Sequence, residues 1–514
     1  MLQAFSSVAA VGLLLIAAAL VAVVWRAFFA RLSSVPGPFV ARFTDLWYAC
    51  SIYRGEFEKV NRQLHQKYGP IVRYGVNRFS IADPLAANII YGPRSKFTKS
   101  SWYEAWSSPS PDAWSIFSDR NAKRHTLNRR QYQSTYSMST LVHYESFVDE
   151  CADLLCQRLS EMRPGGGWSR AVDIGHWLQY YAFDVIGLIT YSKRIGFLDF
   201  GEDVGGMMRN LDDHLAYASL VGVYPGLHPI LFKIRNRLAG TRGKGGRFII
   251  NFTQECMAAH QAKPKVEIPE EDVANDGEPR GAMDFLSKFM QKHLESPSVF
   301  TPYHVQAGAV SNMVAGSDTT SISLSAIIYH ALHNPEVLRR LREEVDRLCP
   351  QNKASPHITF TQSQEMPYLQ AVIKEALRMH PATGLPLERV VPEGGVTING
   401  RFFPEGTIVG INSWVEHRNK AIFGDDAGTF NPDRWLQEDK EKISAMNRHW
   451  MPFGLGSRAC IGRHISMLEM CKLVPRLIRG FDFELCEREP WQTRNYWFVK
   501  PMNFNIRVRP RVVV

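Results

Sequence analysis

The sequence predicts a mainly α-helical fold with a small β-sheet region, preceded by one N-terminal transmembrane helix. Three observations lead there. Residues 8–25 are almost unbroken Val, Ala, Leu, Ile and Gly; long stretches beyond them carry helical periodicity; and strand-forming runs are short and scattered. Of 514 residues, 45% are hydrophobic and 21% charged, a globular composition that supports a sizeable core.

Residues 8–25 have about the length that crosses roughly 30 Å of hydrocarbon as a helix. A cleaved signal peptide would show a basic region before the run and a small-x-small site after it, and neither is evident. Arg26 and Arg31 follow the run instead, which by the positive-inside tendency leaves the rest in the cytosol. There the Asn251-Phe252-Thr253 sequon would stay unglycosylated. Val35-Pro36-Gly37-Pro38 cannot continue a helix and reads as a hinge. The expected division is residues 1–34 as anchor and hinge approach, and residues 35–514 as a single domain.

Strands are expected at 71–74, 79–81, 396–398, 407–411, 481–485 and 505–508. Each is too short to stand alone, so the expectation is one composite sheet beside a helical mass. Residues 263–281, rich in Glu, Asp and Pro, read as a solvated loop. Residues 222–229 are apolar, with Tyr224 and Leu227; they suit a core-covering loop or a second membrane contact equally well.

The net charge of +10 can suit nucleic acid, an anionic membrane or an acidic protein partner. Lys and Arg are spread without a dense run interleaved with aromatics, which argues against nucleic acid. Eight cysteines (Cys50, Cys151, Cys156, Cys256, Cys349, Cys460, Cys471, Cys486) form no set with zinc-ligand spacing, and a chain this long needs no disulfide staples. A special cysteine must therefore be identified by its neighbours.

Cys460 has such neighbours. In Pro452-Phe453-Gly454-Leu455-Gly456-Ser457-Arg458-Ala459-Cys460-Ile461-Gly462, three glycines allow tight turns and close approach. A helical pattern follows at once (Ile465, Met467, Leu468, Met470), so the sulfur sits where backbone N–H groups converge, a setting that favours thiolate. A haem iron that cleaves O–O bonds wants an anionic sulfur ligand.

The string Phe-x-x-Gly-x-Arg-x-Cys-x-Gly resembles the ligand loop of the cytochrome P450 family, and the resemblance extends over nearly all of residues 36–514. It implies haem b held by Cys460, with Phe453 as an apolar shield. It also implies a helix across the distal face. Thr301-Pro302 is a good helix start, and Asn334-Pro335 a stop. Within that helix, Ala315 and Gly316 leave space, and Asp318 and Thr319 occupy the family's proton-relay positions, an acid–alcohol pair suited to ordered proton delivery. By the same resemblance Glu375, Arg378 and Arg434 form a buried brace, and His125, Arg129, Arg389 and Arg458 bind the haem propionates. His125 stands where many members have Trp, while fungal members often show His. Trp102, Tyr103, Trp114, Phe117, Ala315, Thr383, Leu387 and Phe498 are candidate pocket residues, with Trp106 and Trp497 beside them. They suit a bulky apolar or aromatic ligand such as a terpenoid, polyketide or alkaloid.

Lys99-Ser100, Phe117-Ser118, Tyr136-Ser137-Met138-Ser139 and Val148-Asp149 look most like filamentous-fungal microsomal enzymes of secondary metabolism, the pisatin demethylase-like group. The resemblance implies a monooxygenase on the endoplasmic reticulum membrane, its body facing the cytosol. No P-loop and no GxGxxG after a strand is present, so electrons come from NADPH through a partner, NADPH–cytochrome P450 reductase, with cytochrome b5 a further candidate. Two alternatives stay open: a haem-thiolate isomerase or dehydratase, which could dispense with Asp318 and Thr319, and a non-catalytic membrane haem carrier or sensor.

Overall fold

The computed structural model describes residues 14, 17–18, 21, 24–25, 27–29, 31–110, 112–163, 167–238, 244–262 (side chains from 248), 283–348, 357–486 and 491–511. Most of the apolar run at 8–25, and the polar stretch 263–281, lie outside these residues.

Helix Pro302–His333, 32 residues long, runs through the core. Its start follows from sequence: Thr301 and His304 cap each other reciprocally, and Pro302 fills a position that needs no N–H donor. It packs on Ile174–Tyr191, whose residues are nearly all buried, and on Phe285–Glu295, Pro367–Met379 and Arg463–Gly480. Val185, Ile189, Leu324, Ile327, Leu468 and Leu473 share one apolar cluster. Burying each such side chain stabilises the fold by roughly 1.5–3 kcal/mol before entropy is counted.

Among the described residues the expected single sheet is instead four. A five-stranded sheet runs in the order Ile71–Gly75, Arg78–Ile81, Ile408–Gly410, Arg389–Val390, Thr98–Lys99. Val172–Asp173, Asn505–Pro510 and Phe481–Leu485 form a second. Val396–Ile398 does not join the first sheet, because Asn399 (φ 47°) and Gly400 (φ 70°) turn the chain back at once onto Arg401–Phe403. Gln492–Tyr496 and Phe498–Met502 make the fourth, a hairpin.

The segment expected to be a hinge is docked. Val35 is fully buried, the Arg73 N–H donates to the Pro36 carbonyl (2.8 Å), and a Cβ on Gly37 would lie 2.1 Å from the Arg73 oxygen. Pro36-Gly37 is therefore laid against the first strand.

Among the described residues no single helix is long and apolar enough to cross a membrane. The pair Val204–Val221 and Pro225–Leu238 meets that measure together but is bent by 120°. At this bend Leu227, Ile230, Ile234 and Leu238 are exposed, and the Tyr224 hydroxyl bonds Thr44 (3.2 Å). The 222–229 stretch thus turns most of its apolar side chains outward, although Val223 stays in the core.

Candidate active site

The cysteine loop is shaped by two glycines in the left-handed region, Gly454 (φ 68°) and Gly456 (φ 64°). At Gly456 a Cβ would lie 1.7 Å from the Tyr91 carbonyl oxygen, so no side chain fits. The Cys460 N–H donates to the Phe453 carbonyl (2.8 Å), closing the loop, and helix Arg463–Gly480 begins three residues on. Cys460 lines a cavity enclosing about 1740 Å³ of atom-free space, its mouth included. Burial pushes its thiol pKa up, opposed by the Gly462 and Arg463 N–H groups and the charges of Arg129 and Arg463. The convergent N–H groups are as the sequence suggests, but they do not outweigh burial. A metal bound to the sulfur would deprotonate it outright.

Behind the loop, Arg378 donates to both oxygens of Glu375 (2.8 and 2.7 Å), Arg434 Nε to Oε1 (3.3 Å) and Trp435 Nε1 to Oε2 (2.9 Å). Asp426 takes two further bonds from Arg434 (2.8 and 2.9 Å). His417 carries this network to the loop: Nδ1–H donates to the Arg378 carbonyl (3.0 Å), and Nε2 accepts from the Met451 N–H (2.9 Å), two residues before Phe453. The two contacts fix one neutral tautomer. His417, Asp426 and Trp435 are part of the brace that sequence reasoning missed.

One cavity wall is cationic: His125, Arg129, Arg389, Arg458 and Lys99 all line it. Burial, then Arg458, Arg129 and Lys99, lower the His125 pKa to about 3; burial and Arg389 lower Arg458 to about 10. Asp119 is the acidic neighbour these groups share, and it is already engaged by Arg124. His125 Nε2 is buried without a partner among the described residues. Repelling cations and an orphaned ring nitrogen beside a cysteine fit a dianionic macrocycle such as haem. Lys99, buried and donating to the Phe117 carbonyl, extends the set expected from sequence.

Opposite Cys460 the long helix presents Ala315, Gly316 and Thr319. Gly316 also serves packing, since a Cβ there would meet Ile186 at 3.0 Å. The Thr319 hydroxyl donates to the Ala315 carbonyl (2.8 Å), leaving its oxygen free to accept. Asp318 does not line the cavity. It is fully buried on the adjacent face, accepting from Gln179, with Lys500 Nζ 2.8 Å from Oδ2; Lys500 also pairs with the exposed Asp212. Burial raises the Asp318 pKa, opposed by Lys500.

Tyr103, Trp114, Phe117, Thr383, Leu387 and Phe498 line the cavity with Phe453 and Trp497. Trp102 does not: it is a core side chain, 2% exposed, its N–H donating to the Ser219 carbonyl (3.2 Å). Ile116 and Ser311 line the cavity without having been singled out, because isolated small or aliphatic residues carry no spacing signal.

A family model described as Cytochrome P450 matches residues 36–505. A cytochrome P450 monooxygenase of Aspergillus terreus is 40% identical over 457 residues, 88% of this chain and 90% of that protein. Pisatin demethylase of Fusarium vanettenii is 37% identical over 490 residues, 95% and 90% of the two chains. The monooxygenase pkfB of Emericella nidulans is 36% identical, covering 94% and 92%. With the cysteine loop, the cationic wall and the distal helix meeting at one cavity, the chain belongs to the cytochrome P450 family and is an oxygen-incorporating oxidoreductase.

Proposed function

We propose that the chain holds haem b through Cys460 and inserts one oxygen atom of O2 into a small apolar molecule by hydroxylation, epoxidation or oxidative demethylation. The observation that carries the reading is that Cys460 and Thr319 face the same cavity, beside a cationic wall whose shared acidic neighbour, Asp119, is already engaged by Arg124. When bound, the haem supplies O–O cleavage assisted by an anionic sulfur. His125, Arg129, Arg389, Arg458 and Lys99 hold its propionates. Phe453 shields the sulfur, and Glu375, Arg378 and Arg434 keep the loop in place. Thr319 Oγ1 holds a proton or water at the distal face. Asp318 is the carboxyl that passes protons toward it, reached from the surface by way of Asp212 and Lys500.

The test is the carbon-monoxide difference spectrum of the reduced protein. A band at about 450 nm is expected for thiolate ligation and should vanish in Cys460→Ala. Turnover should depend strictly on NADPH and a reductase, which an isomerase or a haem carrier would not require. The charge of +10 suits docking to an acidic flavoprotein, with cytochrome b5 as a second donor.

The relatives' fungal sources and the pisatin demethylase likeness support a place in secondary metabolism. Residues 1–34 serve as a membrane anchor in this reading and 35–514 as the catalytic body, lodged on the endoplasmic reticulum and facing the cytosol. Phe28, Phe39 and Val40, exposed near the entry to the body, join Tyr224, Leu227 and Ile230 through the Thr44–Tyr224 bond, an apolar face suited to lipid. Flotation with vesicles should weaken when Leu227 and Ile230 become Asp.

A further inference from the structure

The roof of the cavity has features that a merely apolar pocket would not need. Trp497 has φ 75°, a conformation that a bulky residue keeps only when its surroundings enforce it. They do so here. Gly384 N–H donates to the Trp497 carbonyl (2.8 Å), Val499 N–H to the Ala382 carbonyl (2.8 Å), and Thr383 bridges Phe498. A Cβ on Gly384 would lie 2.3 Å from Asn495 Nδ2, so the hairpin tip is pressed onto this strap. The forced turn brings the Trp497 ring to 5.7 Å from Phe117, at 65° between planes. Across the cavity, Trp114 is fixed over the start of the long helix: its N–H donates to Tyr303 Oη (2.9 Å), and that hydroxyl donates to the Trp114 carbonyl (2.7 Å). Aromatic faces and edges thus line the same cavity as Ala315.

The second observation is Ser311. On the same helix, Ser317, Thr319, Ser321 and Ser323 each donate to a carbonyl about one turn back. Ser311 lines the cavity, and its hydroxyl has no such partner among the described residues. At 1.5 Å rise per residue it stands about 6 Å along the helix from Ala315 and about 12 Å from Thr319.

We propose that this cavity selects a planar, fused-ring aromatic substrate bearing a hydrogen-bonding oxygen, a phenol or aryl ketone, roughly 6–12 Å from the carbon presented at Ala315 and Thr319. Ser311 bonds that oxygen, while Trp497, Phe117 and Trp114 receive the rings edge-to-face or offset. The inference rests on the haem-thiolate reading for what happens to the bound molecule, but the selectivity can be read separately.

The experiment compares 2-hydroxyfluorene, fluorene and perhydrofluorene by their dissociation constants. Binding to the haem-loaded protein is read from the shift of the Soret band, and binding to the protein without haem from quenching of tryptophan fluorescence. Hydroxyfluorene is expected to bind roughly three- to tenfold more tightly than fluorene. Fluorene should bind roughly three- to tenfold more tightly than its saturated analogue. Ser311→Ala should remove the first preference and keep the second. Trp497→Leu should remove the second and keep the first, and Phe117→Leu repeats that test at a residue with ordinary backbone. Equal or tighter binding of perhydrofluorene, or a hydroxyl preference that survives Ser311→Ala, overturns the proposal. Loss of the carbon-monoxide band with these preferences intact would instead overturn the haem-thiolate reading.

Discussion

Asp318 and Thr319 are neighbours in sequence but face different surroundings, and the difference sets their tasks. Thr319 opens on the cavity, whereas Asp318 is sealed against Gln179 and Lys500. Asp318→Asn should lower turnover about 100-fold or more, the usual scale for a lost general acid, while leaving the carbon-monoxide band unchanged. Lys500 acts on the same carboxyl with a predictable sign. Its charge opposes the upward push of burial, so Lys500→Met should raise the Asp318 pKa further. As a proton donor Asp318 acts in its protonated form, so the basic limb of the pH–rate profile should move to higher pH; an unmoved limb would exclude this relay. Asp318 and Thr319 were legible because they sit in a recognisable string. Lys500 was not, since it arrives from a hairpin about 180 residues away and no local pattern announces it. Trp102 shows the converse: sequence crowds it with Trp106, Trp114 and Phe117, and only packing decides which rings reach the cavity.

Among the elements, the cysteine loop is held both by what it cannot accommodate and by what is bolted to it. Gly454 and Gly456 share nearly the same φ, but only Gly456 abuts backbone, at 1.7 Å from the Tyr91 oxygen against 3.9 Å for the nearest atom at Gly454. Gly456→Ala should therefore lose haem where Gly454→Ala retains a weakened share, compared by haem content after purification. The brace gives a second expectation. Glu375→Gln keeps the shape but removes the charge that compensates Arg378 and approaches Arg434, both almost fully buried. Stranding buried cations costs about 3–5 kcal/mol, so chemical denaturation should show that loss, and the carbon-monoxide band should move from its thiolate position. Glu375 and Arg378 were readable as a pair three apart on one helix face. His417 and Asp426 were not, because their partners are chosen by tertiary approach. Six strands were legible in the sequence, but Thr98–Lys99, Val172–Asp173, Arg389–Val390, Arg401–Phe403, Gln492–Tyr496 and Phe498–Met502 were not, nor was the grouping into sheets: pairing depends on turns such as Asn399-Gly400 that close hairpins locally.

At the scale of the whole molecule, several buried or half-buried histidines are held in neutral form, which links folding to pH. Burial first, then neighbouring cations, lowers His330 and His417 to about 3; His65, His214 and His380 fall to about 4, with burial again the largest cause. In the unfolded chain each would titrate near the ordinary histidine value of 6.5. Between these values the unfolded state binds the proton and the native state does not, so stability rises with pH and is lost as pH falls below about 6.5. Each such histidine contributes up to ~1.4 kcal/mol per pH unit across that window. Glu469 works in the opposite sense: burial raises its pKa, so its carboxyl favours the folded state at low pH and disfavours it as pH rises. A wild-type profile alone mixes the two, and a difference between variants separates them. His330 is the best choice, because its ring stacks on Phe430 at 4.6 Å and its ring nitrogens make no hydrogen bond among the described residues that replacement would break. Urea unfolding of wild type and His330→Leu at a series of pH values should give a wild-type-minus-variant free energy that falls as pH drops from about 6.5 toward 4, the wild type losing up to about 1.4 kcal/mol more per unit. Parallel lines across that range would mean that His330 is not held neutral by the fold.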